Sequence, residues 1–195
     1  MSSSLVVLPV GGRIHSTASL HAASNHPRAL SSWRRLLRRG AAALVGLAST
    51  VLAARYRRFR VVDHSMTPAI EPGDYVITDR AWERRGLARG DVVVFRSGER
   101  HMIKRVLGLP GETIGIEGGV LMIGGRPAAD PWWPAATRPD GEWVVPPDSW
   151  FVLGDNRAAS AADSRTLGPI QHPSVHSRVI ARYWPWRRTG RIQGA

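Results

Sequence analysis

The 195-residue chain has no cysteine. Disulfide bonds, catalysis by a thiolate and metal sites built on cysteine ligands are therefore excluded. The redox compartment stays undetermined, because a protein without cysteine is compatible with oxidising and reducing surroundings. Hydrophobic residues make up 43% of the chain, enough for one moderate domain to bury a core.

Lysine is almost absent as well. Of the 27 cationic side chains, 26 are arginines, and the single lysine is Lys104 in HMIKRVLGLPGETI. Arginine keeps its proton under ordinary conditions, whereas a buried lysine amine can lose it. The lone lysine is therefore a candidate proton acceptor, although an arginine-rich composition also leaves one lysine by chance.

Acidic residues are missing from the first 60 positions, which carry ten arginines and so a net charge of +10. Residues 61–195 carry 17 cations and 15 acids, a net charge of +2. A nucleic-acid-binding domain normally has its positive charge on the folded surface. This distribution instead indicates a targeting or membrane-flanking segment, and we expect no nucleic-acid partner.

The apolar run AAALVGLASTVLAA (41–54) is short for a membrane span. Its 14 residues reach about 21 Å as a helix, less than the ~30 Å hydrocarbon core, so a span needs flanking apolar side chains and snorkelling arginines. We predict a disordered leader at 1–32 and a transmembrane or anchor helix at 33–58. A cleaved secretion signal, a mitochondrial presequence and a buried core helix stay open. Four arginines on each side leave the orientation undetermined.

Helical periodicity is scarce beyond residue 59, where short β-rich runs alternate with Gly- and Pro-containing turn signals. Because strands and helices do not alternate, we predict a mainly β fold for 59–195, an antiparallel barrel-like domain. The predicted strands are 59–62, 75–78, 91–95, 102–109, 113–117, 120–124, 143–146, 150–154 and 175–184.

Two residues suit nucleophilic catalysis. Ser65 lies in HSMTPAIEPGDYVI (64–77), after a predicted strand and before a proline, which is typical of a side chain presented on a loop. A serine hydroxyl is a poor nucleophile until a neighbouring base removes its proton. Lys104 suits that role if its strand is buried, because desolvation lowers the pKa of an amine from ~10.4 toward ~7–8.

Three stretches together resemble the type I signal peptidases, the Ser/Lys-dyad serine proteases that remove leader peptides. Ser-Met-x-Pro followed by Pro-Gly-Asp is similar to that family's nucleophile segment, and KRVLGLPGE is similar to its lysine strand. Within VLGDNRAASAADSRTLGPI (152–170), the Gly-Asp-Asn-Arg and Asp-Ser-Arg-x-x-Gly-Pro groups are similar to its last motif. The three stretches occur in the family's order.

The resemblance implies a membrane-anchored serine endopeptidase with a signal-peptidase/LexA-like β domain. Ser65 would be the nucleophile, its backbone N–H would help to hold the oxyanion, and Lys104 would be the general base. The substrate would be a precursor with small residues before the cut, bound as an added strand. We expect a monomer in contact with membrane lipid, spanning the cell membrane once, with its catalytic domain outside the cytoplasm. The mitochondrial inner membrane is the alternative.

The resemblance also implies supporting residues, and it implies neither a cofactor nor a metal. A serine of the last motif would hydrogen-bond the lysine amine, and other side chains there would supply hydrogen bonds and an ion pair. These supporting residues are Ser160, Asp155, Asp163 and Arg165. Substrate-binding residues are not identified.

The sequence departs from the family pattern in three places. Asp63 stands where Ser, Thr or Gly is usual, so a hydroxyl donor to the oxyanion is missing and a carboxylate is close to developing negative charge. One additional residue lies between Arg157 and Asp163, so Ser160 either keeps its place before a bulge or misses the lysine. Ala69 replaces a commoner threonine. These changes indicate a divergent or specialised member, and a weak or inactive one stays open.

Other readings of the chain remain. His64 adjoins Ser65, but adjacent side chains on an extended segment point to opposite faces, which disfavours a Ser/His pair. The histidines lack the spacing of metal ligands. A LexA-like self-cleaving regulator would need a DNA-binding helical module, and residues 1–58 show no helix-turn-helix pattern. The non-enzymatic alternative is an Arg-rich anchored β-domain that binds a partner or lipid.

Overall fold

The computed structural model describes Leu8–Pro9 and residues 30–192. The chain divides into two compact units, one made of residues 11–56 and the other of residues 1–10 and 57–195. Most of the predicted leader at 1–32 lies outside the described residues.

Helix α1 (Leu30–Arg55) lies in the first unit. Alanine and leucine, both strong helix formers, dominate its second half. Ser49 and Thr50 donate from their hydroxyls to carbonyls one turn back, a pattern that keeps such side chains compatible with a helix. The helix ends three residues before the predicted boundary at 58, because residues from Tyr56 onward are extended.

Among the described residues, no helix is both long enough and apolar enough to cross a membrane.

The remaining residues are mainly β, as predicted. The strands are β1 (Leu8–Pro9), β2 (Tyr56–Arg60), β3 (Tyr75–Asp79), β4 (Val92–Ser97), β5 (Arg100–Gly108), β6 (Thr113–Glu117), β7 (Val120–Ile123), β8 (Arg126–Pro127), β9 (Gly141–Val144), β10 (Ser149–Leu153), β11 (Ile170–Gln171), β12 (Val175–Trp184) and β13 (Gly190–Arg191). Each of the nine predicted strands overlaps one of these. A single-turn helix, α2 (Ser164–Leu167), was not predicted.

The strands form two antiparallel sheets. The larger sheet has the order β1-β2-β3-β12-β4-β5-β10-β11, with β13 paired to β12, and the smaller has the order β8-β7-β6-β9. Both orders are open paths with distinct end strands, so the described strands do not close into the barrel that we expected. The chain leaves the larger sheet after β5, builds the whole smaller sheet, and returns as β10, which pairs directly with β5.

Strand β5 is buried on both faces, because it lies between two apolar clusters. Ile103 and Val106 belong to the cluster of the larger sheet, whereas Leu107 packs with side chains of the smaller sheet. The strand pairs with β4 on one side and β10 on the other. From Met102 onward, a polar side chain on β5 is therefore removed from water whichever face it occupies, whereas Arg100 at the start of the strand is exposed.

Candidate active site

Ser65 lies in a turn segment, residues 64–70, between β2 and β3. Two apolar side chains of this segment, Met66 and Ile70, are fully buried in the core of the larger sheet. The amide N–H of Ile70 also donates to the carbonyl of Met66 over 2.8 Å. These contacts hold the segment in place. Ser65 is 2% exposed, so its side chain faces the interior.

Lys104 lies in the middle of β5, opposite Val93 of β4, and is 1% exposed. Its Nζ lies 2.7 Å from Oγ of Ser65, in a buried hydrogen bond between residues 39 positions apart. The fold thus brings together the two residues that the sequence singled out for nucleophilic chemistry.

Burial changes the acidity of this amine. The pKa of Lys104 is lowered from the usual 10.5 to about 8, mainly by desolvation on burial and to a smaller extent by the charge of Arg165. The carboxylates of Asp63, Asp163 and Asp155 oppose the shift, because each favours the ammonium form. At pH 7 an amine with such a pKa is neutral in roughly one molecule in ten. Lys104 can therefore accept a proton near neutral pH.

The arginine next to the lysine is held by Asp155, one of the predicted supporting residues. Arg105 Nε and Nη2 donate to the two carboxylate oxygens of Asp155 over 2.8 and 2.6 Å, and both side chains are 1% exposed. Arg105 Nη1 donates to the carbonyl of Gly90, and its guanidinium lies 4.8 Å from the ring centroid of Trp132. This ion pair joins β5 to the loop after β10. Sequence reasoning did not assign Arg105 to the site, although an arginine inside an apolar strand is itself a signal.

Asp163 organises the loop that carries Ser160. It caps the N-terminus of α2 by accepting from the N–H of Arg165, and it forms an ion pair of 2.9 Å with the guanidinium of the same residue. Arg165 Nη2 also donates to the carbonyls of Ser160 and Arg157. Ser160 Oγ donates to Asp163 over 2.6 Å. The Ser160 hydroxyl is thus directed to the carboxylate, and its predicted contact with the lysine amine stays a prediction.

Asn156 connects the last motif to the segment that carries Ser65 and was not singled out from the sequence. Its backbone N–H donates to the carbonyl of Ser65 over 2.9 Å, and its Nδ2 donates to Oγ1 of Thr67 over 2.9 Å. Gly154 makes this approach possible, since a Cβ there would lie 2.5 Å from both the Ser65 carbonyl oxygen and Ser160 Oγ. The Gly-Asp-Asn triplet thus lies directly against the turn segment that carries Ser65.

The Asp63 carboxylate points toward Ser65. Its Oδ1 accepts a hydrogen bond from the backbone N–H of Ser65, the donor that the family resemblance assigns to the oxyanion. The carboxylate of Asp63 therefore lies beside this N–H and does not point away from it.

The rival arrangements receive little support. His64 is exposed, whereas Ser65 is buried with Lys104 as its side-chain partner. His101 packs its ring against Phe59 and His176. Within residues 30–192, no group of three or more histidine, aspartate or glutamate side chains is arranged to hold a metal ion.

Comparison with known proteins gives consistent matches. Residues 33–184 match the family described as signal peptidase, peptidase S26. A signal peptidase I from Leptolyngbya laminosa is 34% identical over 76% of this chain and 76% of its own length. Signal peptidase I V from Bacillus subtilis is 31% identical over 68% of this chain and 91% of its own length. A solved signal peptidase I from Enterococcus faecalis, 28% identical, aligns with 47% of this chain and 94% of its own at a TM-score of 0.42.

The buried ion pair predicts a stability effect. Asp155→Asn leaves the Arg105 guanidinium buried without its counter-ion, so we expect the free energy of unfolding to fall by about 3–5 kcal/mol in urea titrations. The matched control is Asp140→Asn, which breaks the exposed pair with Arg138 and should change stability by less than about 1 kcal/mol. Equal losses in the two variants would contradict this account.

Proposed function

Because this chain belongs to the signal peptidase family, peptidase S26, we propose that Ser65 attacks the scissile bond of its substrate and that Lys104 is the general base. The protein is a serine endopeptidase, and its reaction is the removal of signal peptides from precursor proteins. The observation that carries the residue assignment is the 2.7 Å contact between Lys104 Nζ and Ser65 Oγ in a site closed to water.

The proposed reaction uses the neutral form of the amine. Lys104 Nζ accepts the hydroxyl proton while Ser65 Oγ forms a bond to the carbonyl carbon of the substrate. The resulting ammonium returns the proton to the amide nitrogen as the C–N bond breaks, leaving an acyl group on Ser65. A water molecule then attacks this ester, again losing its proton to Lys104, and the hydroxyl is restored.

The charged neighbours support this assignment by tuning the amine. Asp155 and Asp163 lie near enough to raise the pKa of Lys104, yet each is engaged by an arginine of its own. Their attraction for the ammonium is therefore only partial. We propose that these ion pairs stabilise the transient ammonium without holding the proton on it in the resting enzyme.

The wider setting is also proposed. The segment 33–58 would anchor the enzyme in the cell membrane, in contact with lipid and spanning it once, with the catalytic domain on the extracytoplasmic side of a bacterial plasma membrane. The mitochondrial inner membrane is the alternative. The arginines on both sides of the apolar run are placed to contact anionic headgroups. We propose that the enzyme acts as a monomer and without nucleic acid.

Protease accessibility tests this setting. Added protease should degrade residues 60–195 in intact cells only after the outer barrier is opened, while a cytoplasmic marker stays intact. The chain should remain in the membrane fraction after a high-salt wash. Protection of the domain together with the cytoplasmic marker would contradict the proposed orientation.

Substitutions at the dyad test the residue assignment. With a peptide carrying an Ala-x-Ala site and detergent-solubilised protein, Ser65→Ala and Lys104→Arg should each lower kcat/KM by at least about a thousandfold. Lys104→Arg is the sharper change, because it keeps the charge and removes the base. The matched control is Arg100→Lys, at the exposed start of the same strand, which should leave cleavage unchanged.

Three results would contradict the assignment. Full activity of Lys104→Arg would remove Lys104 as the base. Cleavage of the chain itself, in place of the peptide, would favour the self-cleaving regulator. Absence of cleavage by the unchanged protein would favour the non-enzymatic β-domain.

The rate should also depend on pH. Because the neutral amine is the active form, kcat/KM should increase about tenfold per pH unit below the pKa of about 8 and level off above it. Initial rates between pH 5.5 and 9.5, with circular dichroism at each pH to confirm folding, measure this. A flat profile would contradict a lysine base.

A further inference from the structure

The backbone N–H of Ser65 has a hydrogen-bond partner within the chain. Ser65 is 2% exposed, and a buried N–H without an acceptor is unfavourable. Oδ1 of Asp63, two residues earlier, accepts this hydrogen bond. Such a contact between an aspartate and the N–H two residues on is a common local turn, which explains how the sequence forms it without long-range help.

The position of this carboxylate conflicts with the reaction. Cleavage through Ser65 converts the substrate carbonyl oxygen into an anion, which needs preorganised donors such as the N–H of the attacking residue. Oδ1 of Asp63 already accepts a hydrogen bond from that N–H, and the carboxylate is negatively charged, as the oxyanion would be. A carboxylate and an oxyanion cannot share one donor without strong repulsion.

We propose that Asp63 is a restraining residue, whose carboxylate occupies the oxyanion position of the substrate-free enzyme and has to turn away before the tetrahedral intermediate can be held. This inference rests on the proposed function, since it takes Ser65 as the nucleophile. No bond is made or broken in the step, because one side chain rotates and one hydrogen bond is exchanged for another.

A second effect of the same carboxylate acts through Lys104. The charged groups that face this amine are Asp63, Asp155, Asp163 and Arg165, and Asp63 comes first among those that raise its pKa. Asp155 and Asp163 are each neutralised by an arginine, whereas Asp63 has no ion pair with an arginine among residues 30–192. Its charge therefore favours the protonated, inactive amine. Asp63 therefore slows the reaction in two ways: it blocks the Ser65 N–H, and it keeps the proton on the Lys104 amine.

Two substitutions separate these effects. Asp63→Ser removes the charge and supplies a hydroxyl that can donate to the oxyanion, whereas Asp63→Asn removes the charge but keeps an oxygen able to accept from the Ser65 N–H. The matched control is Glu142→Gln, which removes one exposed carboxylate on β9 of the smaller sheet.

The experiment measures kcat and KM for the Ala-x-Ala peptide between pH 5.5 and 9.5. For Asp63→Ser we expect kcat at pH 7 to increase about tenfold with KM nearly unchanged, since the gain arises in the transition state. The midpoint of the pH profile should move to lower pH in both Asp63 variants. Asp63→Asn should show this shift with a smaller increase in kcat, and Glu142→Gln should show neither change.

The outcomes distinguish this inference from the proposed function. Suppose that the wild-type enzyme cleaves the peptide through Ser65, but the Asp63 variants cleave it more slowly and their pH midpoint does not move. This result would overturn the restraining role, and Asp63 would then only stabilise a turn. If Asp63→Ser does not fold, the pH midpoint of Asp63→Asn decides alone. If no variant cleaves, the proposed function fails first. If Asp63→Ser cleaves faster and the double variant Asp63→Ser, Ser65→Ala does not cleave, the proposed function and the restraining role are both supported.

Discussion

The site depends on one buried contact, the hydrogen bond between Lys104 and Ser65. Excluding water from an amine lowers its pKa enough for it to act as a base near neutral pH, and here that exclusion is a property of strand β5. Because β5 lies between two apolar clusters and between two neighbouring strands, its side chains from Met102 onward are buried on both faces. The acidity of the lysine therefore follows from the sheet architecture before any nearby charge is considered.

The buried arginines around the Ser65–Lys104 pair have carboxylate partners, whereas the lysine does not form such a pair in the residues described. Arg105 and Arg165 each hold a carboxylate by short hydrogen bonds, and these pairs bind the last motif to β5 and to α2. Buried ion pairs contribute little net stability, but they are demanding in geometry and so fix where neighbouring groups lie. Lys104 differs, because its closest partner is a neutral hydroxyl.

The sequence predicted the strands and the contact between Ser65 and Lys104 better than it predicted what surrounds that contact. Ser65 and Lys104 are found from short motifs whose chemistry is local, and nine strands follow from β-rich runs between turn residues. The partners of Arg105 and the links made by Asn156 depend on which loops meet, and pairs 50 or more positions apart leave no periodic signal. The additional residue before Asp163 left the Ser160 contact open, and the observed bond to Asp163 was not predicted. The expected barrel failed for a similar reason, because strand signals do not state whether the end strands meet.

The smaller sheet has a consequence for how this protein can vary. All of its strands are encoded between β5 and β10, and those two strands are neighbours in the larger sheet, with Gly108 opposite Phe151. The two ends of this excursion, residues 109–148, are thus held together by the pairing of β5 with β10. Lengthening or shortening it therefore changes the entropy of loop closure only slightly and does not displace β5. The excursion can therefore change in length only where it keeps the side chains that cover β5 and the Trp132 ring beside Arg105.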